Sequence, residues 1–151
     1  MSKLPAKHRK RLGFTLVELV IVIIIIGIVS AIALPRFANA SARQQLSTAA
    51  TRVIADLELA RTRARAASQT VSVTFDTTND QYQFNNIGGE ATLIDLGESP
   101  YRVSIDTARF GDSKIASFNG YGVTANSGVV TLSNSSGQVT VKLNANGEAR
   151  R

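Results

Sequence analysis

GFTLVELVIVIIIIGIVSAIAL, residues 13–34, is the stretch on which the reading of this chain turns. From Phe14 to Leu34 it runs 21 residues and carries one charge, Glu18. As a helix rising about 1.5 Å per residue it reaches roughly 30 Å, the thickness of a bilayer's hydrocarbon core. Helix is the single-segment solution there, because lipid offers the backbone no hydrogen-bond partners. A carboxylate costs about 2.5–3.5 kcal/mol at the centre of such a helix and less near an end. Glu18 therefore either lies at the interface or has a partner.

Working outward toward the N-terminus, Lys3, Lys7, Arg9, Lys10 and Arg11 precede Gly13 with no acidic residue among them. Positive charge just before an apolar span holds that end in the cytoplasm, so the chain after Leu34 is expected across the membrane. These residues also explain the net charge of +6, from 17 basic and 11 acidic side chains. Without those five, 12 basic residues face 11 acidic ones. A globally basic nucleic-acid binder is not what remains.

The chain has no cysteine, and its one histidine is His8. Disulfides, thiolate metal sites and cysteine nucleophiles are excluded. A chain beginning after Gly13 would also lack the histidine of zinc sites and of Ser-His-Asp triads. No carboxylate pair has a suggestive spacing. We therefore read the protein as a non-enzyme with no cofactor and no metal.

Two ordinary readings of residues 1–40 compete. A secretory signal peptide would use Ala38-Asn39-Ala40 as its cleavage site, but its apolar run is normally 7–15 residues. A plain anchor explains length and orientation and leaves Glu18 and Gly13-Phe14 unaccounted for. A third reading is a resemblance. Arg11-Leu12-Gly13-Phe14-Thr15-Leu16-Val17-Glu18, followed by the apolar run, resembles the N-terminal motif of type IV prepilins and type II secretion pseudopilins. The resemblance implies cleavage between Gly13 and Phe14 by prepilin peptidase and N-methylation of Phe14. It also implies that Glu18 meets the N-terminal amine of a neighbouring subunit during assembly. The physics agrees, since a buried carboxylate and ammonium each strongly disfavour being left unpaired.

Pro35 lacks an N–H and predicts a kink followed by more helix. Beyond it, Leu46, Ala50, Val53, Leu57, Ala60, Ala64 and Ala67 are spaced 4, 3, 4, 3, 4, 3, one apolar stripe at helical period. Small alanines suit packing of this face on the domain that follows. Arg61, Arg63 and Arg65 do not form one stripe at about 100° per residue, and read as a solvated helix surface.

After Ser68 the period changes to two. Val71, Val73 and Phe75, then Tyr82 and Phe84, predict a hairpin over residues 70–85 around Asp76–Asp80. Ile87-Gly88-Gly89 reads as a loop. Leu93–Leu96 and Tyr101–Ile105 read as strands, and Phe110–Gly122 as a surface loop. Val129–Ser133 and Val139–Leu143 form a second hairpin, and Asn146-Gly147 predicts a tight turn before a short last strand. The expected fold is α+β and pilin-like: a long N-terminal helix, its first half transmembrane, packed on an antiparallel sheet or sandwich of about six strands. The expected divisions are a leader over 1–13, a transmembrane or filament-core helix over 14–34, its amphipathic continuation over 35–67 and a periplasmic β-rich domain over 68–151.

The helix end Leu57–Ala64 followed by a Val-x-Val strand, and the ending Val139-Thr140-Val141 with Asn146-Gly147 and Arg150, are similar to the minor pseudopilin H family of type II secretion (GspH) and its pilus-side relative FimT. The resemblance implies a structural subunit anchored in the inner membrane, with a cytoplasmic N-terminus and a periplasmic domain. Its partners would be prepilin peptidase and other pseudopilin or pilin subunits, met through the N-terminal helix of a pseudopilus that supports secretion across the outer membrane. The alternative is a FimT-like minor pilin that contributes to pilus assembly or DNA uptake. Some FimT-like proteins bind DNA through a C-terminal glycine-arginine motif. Here Gly147 is followed by Glu148, so Arg150 and Arg151 are the remaining candidate DNA contacts, and nucleic acid is not the expected partner.

Overall fold

The computed structural model describes residues 13–85 and 91–151; the basic leader and the Ile87-Gly88-Gly89 loop fall outside the described residues. One helix, α1, runs Leu16–Ala67, with Pro35 inside it. Thr15 caps its start: the Glu18 N–H donates to Thr15 Oγ1 at 3.2 Å, which satisfies one of the orphan donors of the first turn. Its other end closes on Ser68, at φ 52°. Ser68 N–H donates to Arg65 O and Gln69 N–H to Ala64 O, both at 3.2 Å, a Schellman motif built without glycine.

The chain divides into two compact units, Met1–Phe37 and Ala38–Arg151. The described part of the first is helix with its apolar side chains in the open, among them Phe14, Leu16, Ile21–Ile26, Ile28 and Ile32. Nothing of the hydrophobic window is buried.

The second unit has a core of its own. Eight strands follow the helix: β1 (Val71–Asp76), β2 (Gln81–Asn85), β3 (Ala91–Asp95), β4 (Ser104–Phe110), β5 (Ile115–Phe118), β6 (Gly128–Asn134), β7 (Gly137–Leu143) and β8 (Ala149–Arg150). They form two four-stranded sheets, ordered β3-β2-β1-β5 and β4-β6-β7-β8, with antiparallel pairing throughout. Leu46, Ala50, Val53, Leu57, Ala60 and Ala64 of the helix share one core with Val73, Phe75 and Tyr82 of the first sheet and Ile105, Phe110, Leu132 and Val141 of the second. Phe75 stacks on Phe110 with centroids 5.6 Å apart, which joins the two sheets. The alternation in β1 is complete, with Val71, Val73 and Phe75 buried.

Three expectations are corrected. Residues 110–122 are not a surface loop. Phe110 ends β4, and Ile115–Phe118 is an edge strand paired with β1. Its four residues are too few to carry a visible period, yet Ala116 and Phe118 are fully buried. The strand expected at Tyr101–Ile105 begins instead at Ser104. Residues 101–103 are held in a turn: Tyr101 and Arg102 N–H both donate to Glu98 O, and Val103 N–H to Leu96 O. The strands among the described residues number eight rather than about six, and they form two sheets, which settles the sheet-or-sandwich choice.

Candidate assembly site

The N-terminal turn of α1 gathers three of the residues singled out by sequence. Gly13 and Phe14 precede the helix and are exposed, Phe14 at 80%. Thr15-Leu16-Val17-Glu18 is a Thr-x-x-Glu capping box by sequence, and the structure makes its Thr15 half. Glu18 lies in the first turn, where the positive end of the helix dipole favours a carboxylate. This second role is legible in the Thr15-x-x-Glu18 spacing. Among the described residues no cation pairs with Glu18. The exposed amino-terminal arm and a carboxylate one turn in are thus available to a neighbouring chain.

The second half of the helix holds its domain by polar contacts that sequence reasoning missed. Asp56 is 5% exposed. It accepts from Arg52 Nε at 2.8 Å and from Tyr82 Oη at 2.5 Å. The pair with Asp56 raises the Arg52 pKa. Burial, then the bond to Asp56, pushes the Tyr82 hydroxyl well up. A buried charge is tolerable when it is paired and hydrogen-bonded, and here it pins β2 to α1. The signal was an aspartate on the edge of the apolar stripe, between Val53 and Leu57.

The arginines expected on a solvated surface are clamps. Arg61 Nε donates to Gly122 O at 3.1 Å and Arg65 Nε to Tyr121 O at 2.9 Å. Arg63 lies over the Phe84 ring, 5.1 Å from its centroid. Arg61 and Arg65 are four apart, so they face one side and hold one loop, while Arg63 reaches the first sheet. Glu58 accepts from the Ala149 N–H at 3.2 Å and ties β8 to the same helix.

Arg150 and Arg151 are brought to no common site. Arg150 pairs with Glu148 at 2.9 Å, and Arg151 donates to Ser47 Oγ at 3.2 Å. Among the described residues no cluster of three or more His, Cys, Asp or Glu could hold a metal ion.

The prokaryotic N-terminal methylation motif matches residues 8–34. The type II transport protein GspH model matches residues 49–147, about two thirds of the chain. The chain belongs to the GspH family. It is a pilin-type protein whose family members are structural subunits. A fimbrial protein of Pseudomonas aeruginosa is 35% identical over 94 residues, covering 61% of this chain and 58% of that protein. The type IV major fimbrial protein FimA of Dichelobacter nodosus is 60% identical over 35 residues, 23% of this chain and 22% of that protein. The chain thus spans little more than half the length of the Pseudomonas relative and far less of FimA. Among solved structures, the type IV minor pilin FimU of Pseudomonas aeruginosa aligns with a TM-score of 0.54 at 14% identity, covering 72% of this chain and 88% of that one. That likeness establishes the α+β pilin fold. The GspH-family chain is accordingly a pilin-type protein with one helix long and apolar enough to cross a membrane.

Proposed function

We propose that this GspH-family chain is a minor pseudopilin of a type II secretion pseudopilus. It is cut between Gly13 and Phe14, methylated on Phe14, and assembled through the helix from residue 14 onward. Before assembly the helix spans the inner membrane, N-terminus cytoplasmic and domain periplasmic. Afterwards Glu18 meets the amine of a neighbouring subunit and sets the axial register. Pro35 is where the helix kinks between the part in the filament core and the part that carries the domain. The work of the protein is assembly in support of secretion, without catalysis or a cofactor. The observation that carries the reading is the GspH match over the globular domain, residues 49–147, joined to an apolar window of the helix of which nothing is buried.

The second reading, a minor pilin of a type IV pilus, is favoured by the fimbrial names of the relatives. Deleting the gene in its host separates them. Loss of exoprotein secretion with pili intact supports the pseudopilin; loss of pili with secretion intact supports the pilin. In either machine Glu18→Ala is expected to spare membrane insertion and reduce incorporation roughly tenfold or more, since it strands a buried amine. Normal incorporation would sink the pairing. Arg150→Ala with Arg151→Ala is expected to change DNA binding little, because few phosphates could be neutralised there.

A further inference from the structure

The outer face of the second sheet carries cations that the fold leaves unanswered. Arg109 pairs in register with Val129, Val129 with Lys142, and Lys142 with Arg150. Residues directly opposite one another project from the same face. Arg109 and Lys142 therefore flank Val129, about 10 Å apart at the usual strand spacing. Both are exposed, and among the described residues neither forms an ion pair. The carboxylates nearby are spent elsewhere. Glu148 accepts from Arg150 at 2.9 Å and from Asn144 Nδ2 at 3.3 Å. Asp106 accepts from Ser133 Oγ at 2.6 Å and from Gln138 Nε2 at 3.0 Å. Asp112 follows Gly111, past the end of β4, and pairs with neither cation.

Arg109 and Lys142 border an open groove of about 480 Å³ over Gly128 and Val129, lined also by Gly111. The two glycines contribute backbone alone, so between the cations the groove presents backbone and one small aliphatic side chain. That chemistry selects a carboxylate on a slender stem. A sugar ring or a nucleobase binds on an aromatic platform, and no residue lining the groove is aromatic. Duplex nucleic acid calls for six to ten phosphate contacts in a salt-sensitive binder, far more than two cations supply. A second copy of this chain is a poor source of the carboxylate. Its Asp76 is held by Asn79, its Asp80 by the Ile105 N–H and its Asp95 by Gln81.

We propose that the groove between Arg109 and Lys142 docks an acidic, extended segment of a different protein, with a Glu or Asp carboxylate clasped by the two cations over Val129. Lys142 directly opposite Arg150 is a like-charge pair, which costs the free domain stability. An acidic ligand offsets that cost, and charge matching of this kind selects the partner. The inference needs only the folded domain and holds for a secretion pseudopilus and a pilus alike.

The test titrates the full chain in non-ionic micelles into a labelled Glu-Gly repeat peptide, with a Gln-Gly repeat as the uncharged control. The acidic peptide is expected to bind, more weakly as salt rises, and the control not to bind. Arg109→Gln with Lys142→Gln should weaken binding roughly tenfold, while Arg109→Lys should retain most of it. Val129→Glu builds the carboxylate into the groove, opposite a cation on each side. It should abolish peptide binding without lowering the melting temperature, because opposite charges across a strand pair stabilise the sheet. Lost binding with melting preserved distinguishes an occupied site from a damaged fold. No binding of the acidic peptide, equal binding of the Gln-Gly control, or binding indifferent to the Gln pair overturns the proposal. So does a melting temperature that falls with Val129→Glu, which would mean the two cations are not in want of a carboxylate. Duplex DNA that binds more tightly than the peptide and is lost with the same Gln pair also overturns it.

Discussion

The two halves of α1 are one helix written for two solvents. Before Phe37 the apolar residues go all the way round and lie open. After Ala38 they narrow to a stripe, and Ala50, Val53, Ala60 and Ala64 are wholly buried. The first pattern can be satisfied only by lipid or by other helices, the second by the chain's own sheets. Polar chemistry divides the same way. Glu18 has no ion-pair partner among the described residues, whereas Asp56 accepts two hydrogen bonds. A carboxylate left open on an apolar helix implies a partner still to come; one already enclosed is part of the fold.

This contrast can be broken from either side. Leu57→Ala should destabilise the domain by about 2–5 kcal/mol, seen in denaturant unfolding of the full chain in micelles, and leave membrane insertion unchanged. Ile24→Lys should do the reverse, costing insertion about 2.5–3.5 kcal/mol in membrane fractionation without moving the domain's unfolding midpoint. If either substitution affects both readouts equally, the halves are not independent. Tyr82→Phe sharpens the comparison by removing one of the two bonds to Asp56, for an expected loss of about 1–3 kcal/mol. The smallest effect is on acidification. Asn79, then Thr78, hold the Asp76 carboxyl below the usual range, and Gln81 does the same for Asp95. A folded-state value below the unfolded one adds stability that is complete above about pH 4 and lost as pH falls through the lowered value. Asp76→Asn should flatten the fall in melting temperature between pH 5 and pH 3.

The legible parts of the fold were those with a long period or a specific motif. The stripe from Leu46 to Ala64 and the alternation in β1 carry enough residues to declare their geometry. The capping box at Thr15 was equally open to reading. What stayed hidden has short-range causes. β5 is four residues long, and the start of β4 is displaced by a turn whose carbonyl acceptors are backbone atoms. Arg61 and Arg65 find their partners in the Tyr121-Gly122 loop, 61 and 56 residues away respectively, which no local pattern announces. The Asp56–Tyr82 bond is invisible for the same reason, 26 residues apart in sequence. The candidate assembly residues were legible because the processing motif is contiguous. The basic row on the second sheet was not, because it exists only in the strand register.

The central claim is that residues 13–34 are a processed, assembling helix rather than a signal peptide or a plain anchor. Intact-mass measurement of the protein purified from its native host tests it most directly. The expected chain begins at Phe14 and carries one added methyl group. A chain beginning at Ser41, or one that retains residues 1–13, would contradict it.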